Sequence, residues 1–199
     1  MPEIKTKVAI VTGAGRGTGQ AIAVALGKAG ARVAVVDVNP DTAQATADAI
    51  ARAGGEALPQ VTDVSNKMAV QTMLYAVIER WGRIDILVNA AGVTPRSPAL
   101  RMDEWEWNRT LDVNLKGAFL AAQTVARAMN ATGGGVILNL LRPLNGASQA
   151  AVRAAHDGLL GLTTALAAEW AELGVRVEAL EAASAPAETA AAAVRRCEA

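Results

Sequence analysis

Cysteine occurs once in these 199 residues, at Cys197, in what reads as a polar tail. A single thiol excludes an internal disulfide and a cysteine metal cluster, so no metal site is expected and a reducing cytoplasm is compatible. Net charge is absent too: Lys plus Arg total 19 and Asp plus Glu total 19, which leaves nothing to recruit nucleic acid or an anionic membrane. Aromatic residues make up only 3% with no basic stripe beside them, so Trp105 and Trp107 read as packing residues rather than a stacking platform for bases. No uninterrupted apolar run is long enough to span a bilayer, and the first one is broken at Gly13, so a soluble protein is expected. Tyrosine and histidine also occur once each, at Tyr75 and His156.

Against these absences, 52% of the chain is apolar and its length suits one domain with a full core. The most informative stretch is KVAIVTGAGRGTGQAIAVA, residues 7–25. Val8, Ile10 and Val11 are β-branched and bounded by glycines, as a short buried parallel strand requires. Gly13, Gly15, Gly17 and Gly19 form a turn whose missing side chains let a ligand approach the backbone amides. Helical spacing begins at Thr18, and a helix N-terminus opening from a glycine loop suits a pyrophosphate. A glycine cluster can also be a plain turn, but RVAVVD ends a second strand at Asp37, roughly 20 residues on, where a carboxylate would accept from an adenosine ribose.

The spacing Thr12-Gly13-x-x-x-Gly17-x-Gly19, together with Asn89-Ala90-Ala91-Gly92, resembles the short-chain dehydrogenase/reductase family over residues 7–180. The resemblance implies a three-layer α/β domain, a doubly wound parallel sheet of Rossmann type in strand order 3-2-1-4-5-6, over residues 1–183, followed by an alanine-rich helix or tail over 184–199. It implies a dinucleotide with Gly13, Arg16, Gly17, Thr18 and Gly19 around the pyrophosphate and Asp37 on the ribose. Asp63 and Val64 would lie at the adenine, although Asp63 could equally be a cap or turn residue. Asn89 would brace the central strands, with Ala90 and Gly92 along the cofactor cleft. Asp37 favours NAD(H), because a carboxylate repels a 2′-phosphate; Arg16 leaves NADP(H) possible.

The spacing predicts helices from Asn39 and Pro40 to about Ala53, over 67–81 capped by Ser65, over 103–129, and to Leu173. Further strands are expected at 57–61, 84–88, 135–141 and 175–180. Family resemblance implies a homodimer or homotetramer through the 103–129 and 151–173 helices. Asn114 matches the family's helix asparagine that holds a water in the proton relay, or could be a polar group that kinks the helix.

The pattern fails at the fifth strand. Family members carry a serine at its end, then a tyrosine and, four residues later, a lysine. Here the serine positions read Leu141 and Arg142, and alignment on Gly158 to Thr163 puts Val152 at the tyrosine and His156 at the lysine. The loop between 142 and 152 is shorter than the family's, and its Ser148 reads as a helix cap. Ala182-Ala183 stands where Pro-Gly is usual, and the usual seventh strand is expected to be missing or reduced. An imidazole, with an ordinary pKa near 6.5, makes His156 an alternative proton donor, a ribose or phosphate contact, or a plain polar helix residue. Three functions follow: a dinucleotide-binding relative with little or no oxidoreductase activity, an oxidoreductase of a small carbonyl or alcohol with a rearranged donor, or a structural partner of an active paralogue.

Overall fold

The structure is a computed structural model that describes residues 4–95, 97–144 and 150–198. Six parallel strands form one sheet in the order β3-β2-β1-β4-β5-β6, as the sequence predicts: β1 Val8–Thr12, β2 Arg32–Asp37, β3 Glu56–Val61, β4 Ile86–Asn89, β5 Gly135–Leu141 and β6 Val175–Glu181. Side chains alternate between two apolar layers. Val11, Val33, Val35 and Ile86 meet Ile22, Leu26 and Ile50 on one face. On the other, Ile10, Val36, Leu87 and Ile137 meet Met73, Val125 and Met129. Burial on both faces explains why the inner strands read as continuous apolar runs. Pro59 sits in β3, an edge strand bonded only to β2, where a missing N–H is tolerated.

Helices α1 Gly17–Lys28 and α2 Pro40–Arg52 cover the first face, and α3 Lys67–Trp81 lies on the second. Asn39 caps α2 as expected, its Oδ1 accepting from Asp41 N at 2.9 Å and Thr42 N at 3.3 Å. The cap of α3 is Asn66 rather than Ser65: Asn66 Oδ1 takes Met68 N at 2.9 Å and Ala69 N at 3.1 Å, while the Ser65 hydroxyl donates to Asp63 Oδ1 at 2.7 Å. With Ser65 drawn back to Asp63, the next side chain supplies the cap.

The helix expected over 103–129 is interrupted. It comprises α4 Glu104–Leu111, one π-helical turn at Asp112–Lys116, and α5 Gly117–Ala131. Trp105 is 73% exposed, so it is not a packing residue within the single chain. Helix α6 runs Ala150–Glu169, with a short 3₁₀ turn, Ala171–Leu173, completing the segment expected as α-helix. Ser148, expected as its cap, lies outside the described residues.

The last segment is α7, Pro186–Glu198, and it is not a solvated tail. Ala190, Ala193 and Cys197 are buried with α1 residues Ile22 and Leu26 in the first core. Burial pushes the Cys197 thiol up to about 12.

Candidate active site at the carboxyl ends of the strands

The C-terminal ends of the strands open onto a cleft of about 920 Å³. Its floor is the glycine turn between β1 and α1. Gly13 has φ +64°, and a Cβ there would lie 2.6 Å from the Ala91 Cα, so the two loops touch through backbone. At Gly19 a Cβ would overlap the carbonyl oxygen of Gly13, which is why α1 can start this close to the strand end. Arg16 stands at the N-cap position of α1 without a side-chain cap bond, leaving the helix's positive end facing the cleft.

Asp37, at the end of β2, braces this turn. Its Oδ2 accepts from Gly15 N at 2.9 Å and its Oδ1 from Asn39 N at 3.1 Å. Asp63 lines the same cleft, with Ser65 on one carboxylate oxygen and the Arg109 guanidinium 3.1 Å from the other. Partial burial would raise the Asp63 carboxyl, but the Ser65 and Arg109 contacts together outweigh it and hold it below the usual range. Val64 is buried, and a Cβ on Gly117 would lie 2.7 Å from its Cγ2, so the start of α5 fits against it.

Behind the cleft runs a chain of buried polar side chains. Asn89 Nδ2 donates to Asn139 Oδ1 at 2.9 Å and to Ala118 O at 3.2 Å, and Asn139 Nδ2 donates to Thr163 Oγ1 at 2.9 Å. These bonds tie β4 to β5, α5 and α6. Thr12 Oγ1 accepts from Ala90 N at 3.1 Å and Ala91 N at 3.3 Å, which fixes the loop after β4 to the end of β1.

Asn114 lies in the π turn. Its Oδ1 accepts from Val93 N at 2.8 Å and its Nδ2 donates to Val93 O at 2.9 Å. Both ends of the amide are therefore bonded to one backbone residue of the cleft wall, with one N–H and one lone pair left over. Asn114 sits in the π turn that interrupts the helix, and its side chain is aimed at the loop after β4.

At the end of β5, Leu141 is buried and Arg142 turns into the cleft, its Nη2 donating to Ala90 O at 2.8 Å. The guanidinium carbon lies 3.0 Å from where a Cβ on Gly92 would stand. The residue as a whole is exposed, yet desolvation of the guanidinium against the cleft wall lowers its pKa, and the nearby charge of Arg16 acts in the same direction. Val152 and His156 face this wall from α6. His156 Nδ1 is 2.9 Å from Asp157 Oδ1, and Arg153 contacts the other oxygen of that carboxylate at 2.6 Å.

The model of the short chain dehydrogenase family matches residues 7–196. The chain belongs to that family. D-threitol dehydrogenase of Mycolicibacterium smegmatis is 42% identical over 183 residues, covering 87% of this chain and 68% of that protein. A 3-oxoacyl-[acyl-carrier-protein] reductase of Synechocystis is 36% identical over 184 residues, covering 90% and 74%. A metagenomic short-chain oxidoreductase solved in complex with NADP superposes with a TM-score of 0.93 at 35% identity, covering 99% of this chain and 92% of that one.

Most of the site predicted from sequence converges. Gly13, Arg16, Gly17, Thr18, Gly19, Asp37, Asp63, Val64 and Gly92 all line the large cleft of this short chain dehydrogenase. Asn89 and Ala90 do not; both are buried behind it. Asn89, Asn114 and His156 instead line a smaller cavity of about 30 Å³ that adjoins the cleft at Gly92 and Arg142. Tyr75 is 71% exposed on α3 and lines neither cavity. Sequence reasoning missed Arg109 and Asn139, each of which acts through a partner distant in the chain. No motif spacing marks either residue.

No group of three or more potential metal ligands occurs among the described residues, and none of their helices is long and apolar enough to cross a membrane.

Proposed function

We propose that this short chain dehydrogenase binds a nicotinamide dinucleotide and carries out little or no oxidoreduction on its own. One observation carries the reading: where the family resemblance leads one to expect Ser, Tyr and Lys, the wall formed by β5 and α6 presents Leu141, Arg142, Val152 and His156. A bound nicotinamide would supply hydride transfer. Proton transfer would have to come from the protein, and a positioned donor typically contributes 10²–10⁴-fold to rate.

The adenosine and diphosphate end fits the residues present. The glycine turn has backbone but no side chains at its closest approaches, and Arg16 and the α1 N-terminus supply positive charge. Asp37, half-buried at the end of β2, would accept from the ribose, which favours NAD(H) over NADP(H). Arg16 acts in the other direction. The metagenomic relative was solved with NADP, and a 7α-hydroxysteroid dehydrogenase, 26% identical with a TM-score of 0.91, with NADH and 7-oxo glycochenodeoxycholic acid. Quenching of the four tryptophans by NADH and by NADPH measures the preference. No saturable signal with either would remove the nucleotide reading.

A second reading, an oxidoreductase of a small carbonyl or alcohol, draws on the shared cavity of His156 and Asn114. A carbonyl panel with NADH, repeated on His156→Ala, tests it. Turnover at family-typical rates in the wild type overturns the first reading, and loss of turnover in the variant identifies His156 as the donor. Exposed Trp105 and Leu160 on α4 and α6 support assembly into a homodimer or homotetramer, which sedimentation would measure.

A further inference from the structure

Three arginines line the cleft, and they are not equivalent. Arg109 is matched by Asp63 at 3.1 Å. Among the described residues, neither Arg16 nor Arg142 has a carboxylate within ion-pairing distance. They come from different walls, Arg16 from the turn before α1 and Arg142 from the end of β5. Arg142 is nonetheless held in place, one donor on Ala90 O at 2.8 Å and its guanidinium against Gly92, 3.0 Å from where a Cβ would stand. A guanidinium has five N–H donors, so most of this one's remain for a ligand.

Two like charges facing one cleft, neither of them ion-paired and only partly offset by the Asp37 carboxylate on the same cleft, repel one another, and a bound dianion between them converts that cost into attraction. Guanidinium forks match phosphate oxygens in pairs, which a neutral nicotinamide cannot do. A terminal phosphate also ionises a second time, near pH 6, whereas a bridging pyrophosphate has no such proton to lose. The arginine pair therefore favours a nucleotide that ends in phosphate.

We propose that Arg142 and Arg16 close on a diphosphate from two sides, so that the cleft takes adenosine diphosphates lacking the nicotinamide half at least as readily as complete dinucleotides. This rests on the nucleotide-binding reading above and narrows its ligand class. Arg142 then serves as a ligand-binding group at a position where the family resemblance implies a catalytic hydroxyl.

Isothermal titration of the full chain with ADP, adenosine and NADH tests it, in the wild type, Arg142→Ser and Arg142→Lys, with thermal melts to establish folding. In the wild type ADP is expected to bind at least as tightly as NADH, and adenosine about tenfold or more weaker than ADP, the scale of one charge-assisted hydrogen-bond set. Arg142→Ser should raise the ratio of the ADP to the NADH dissociation constant about tenfold, with Arg142→Lys between the two. Should Arg142→Ser fail to fold, the lysine variant and a salt series on the wild type decide, ADP affinity falling with salt while adenosine affinity does not. An unchanged ratio in Arg142→Ser, or NADH bound with no measurable ADP binding, overturns this proposal alone. Absence of binding by all three ligands overturns the nucleotide reading with it.

Discussion

The Asn89 side chain donates from Nδ2 to Oδ1 of Asn139 at 2.9 Å, and the two asparagines are register partners on adjacent parallel strands. Asn139 passes the connection on to Thr163, so a polar link crosses from β4 to α6 inside an otherwise apolar layer. Replacing Asn139 by leucine keeps the branched shape, with bulkier methyl groups, and removes one acceptor and one donor together. Asn89 retains Ala118 O and Thr163 retains Leu159 O, so neither is fully orphaned. The expected cost is about 1–3 kcal/mol in urea unfolding, with an unchanged slope. A neutral substitution would mean that the link contributes nothing to stability.

Asn114→Ala removes both bonds to Val93 without touching the core. We expect little change in melting temperature but faster proteolysis of the cleft wall around 92–95 and weaker nucleotide binding, because that wall loses its only two side-chain tethers among the described residues. Equal proteolysis rates in the two proteins would contradict the positioning role.

Gly27 lets α1 approach α2, since a Cβ there would stand 2.6 Å from Ile50 Cγ2. Gly27→Ala is expected to cost about 1–3 kcal/mol through overpacking, despite alanine's better helix propensity. Ile50→Ala, which removes the Cγ2 that a Cβ at position 27 would strike, should cost less in the Gly27→Ala background than in the wild type. Additive effects in the cycle would show that the two sites do not share this contact.

Cys197 is buried against α1, and burial raises its thiol to about 12. A raised acid pKa stabilises the fold fully below the unfolded-state value, about 8.5, and that contribution declines as pH climbs from there toward 12. Melting temperature should therefore fall in that alkaline window, and Cys197→Ala should flatten the fall. At pH 8 a thiol reagent should modify the native protein only as fast as α7 opens. Immediate reaction would contradict the packing of this helix.

The cofactor side was readable because its residues lie close together in sequence or at a fixed repeat: a strand, a glycine turn and a helix start within residues 7–25, and an acid at the end of the next strand. Parallel pairing then carries both strand ends to one edge without further information. Asp63 and Gly92 were legible for the same reason, each standing just after a strand. What stayed illegible was which side chains meet. Nothing in the spacing says that Asn114 will be bonded to Val93, because that depends on a π turn whose single extra residue rotates it toward the loop.

The short β-branched runs, the helical periods and the glycine turn by themselves indicated strands alternating with helices and an anion-binding turn after the first strand, since local periodicity and short connections suffice for that; the doubly wound order came with the family resemblance. Only the tertiary structure decided that α7 belongs to the core, that Arg109 pairs with Asp63, and that Arg142 bends across Gly92 toward Arg16. Each of these depends on contacts between residues far apart in the chain, whose energies are set by burial and by the charges brought face to face on folding.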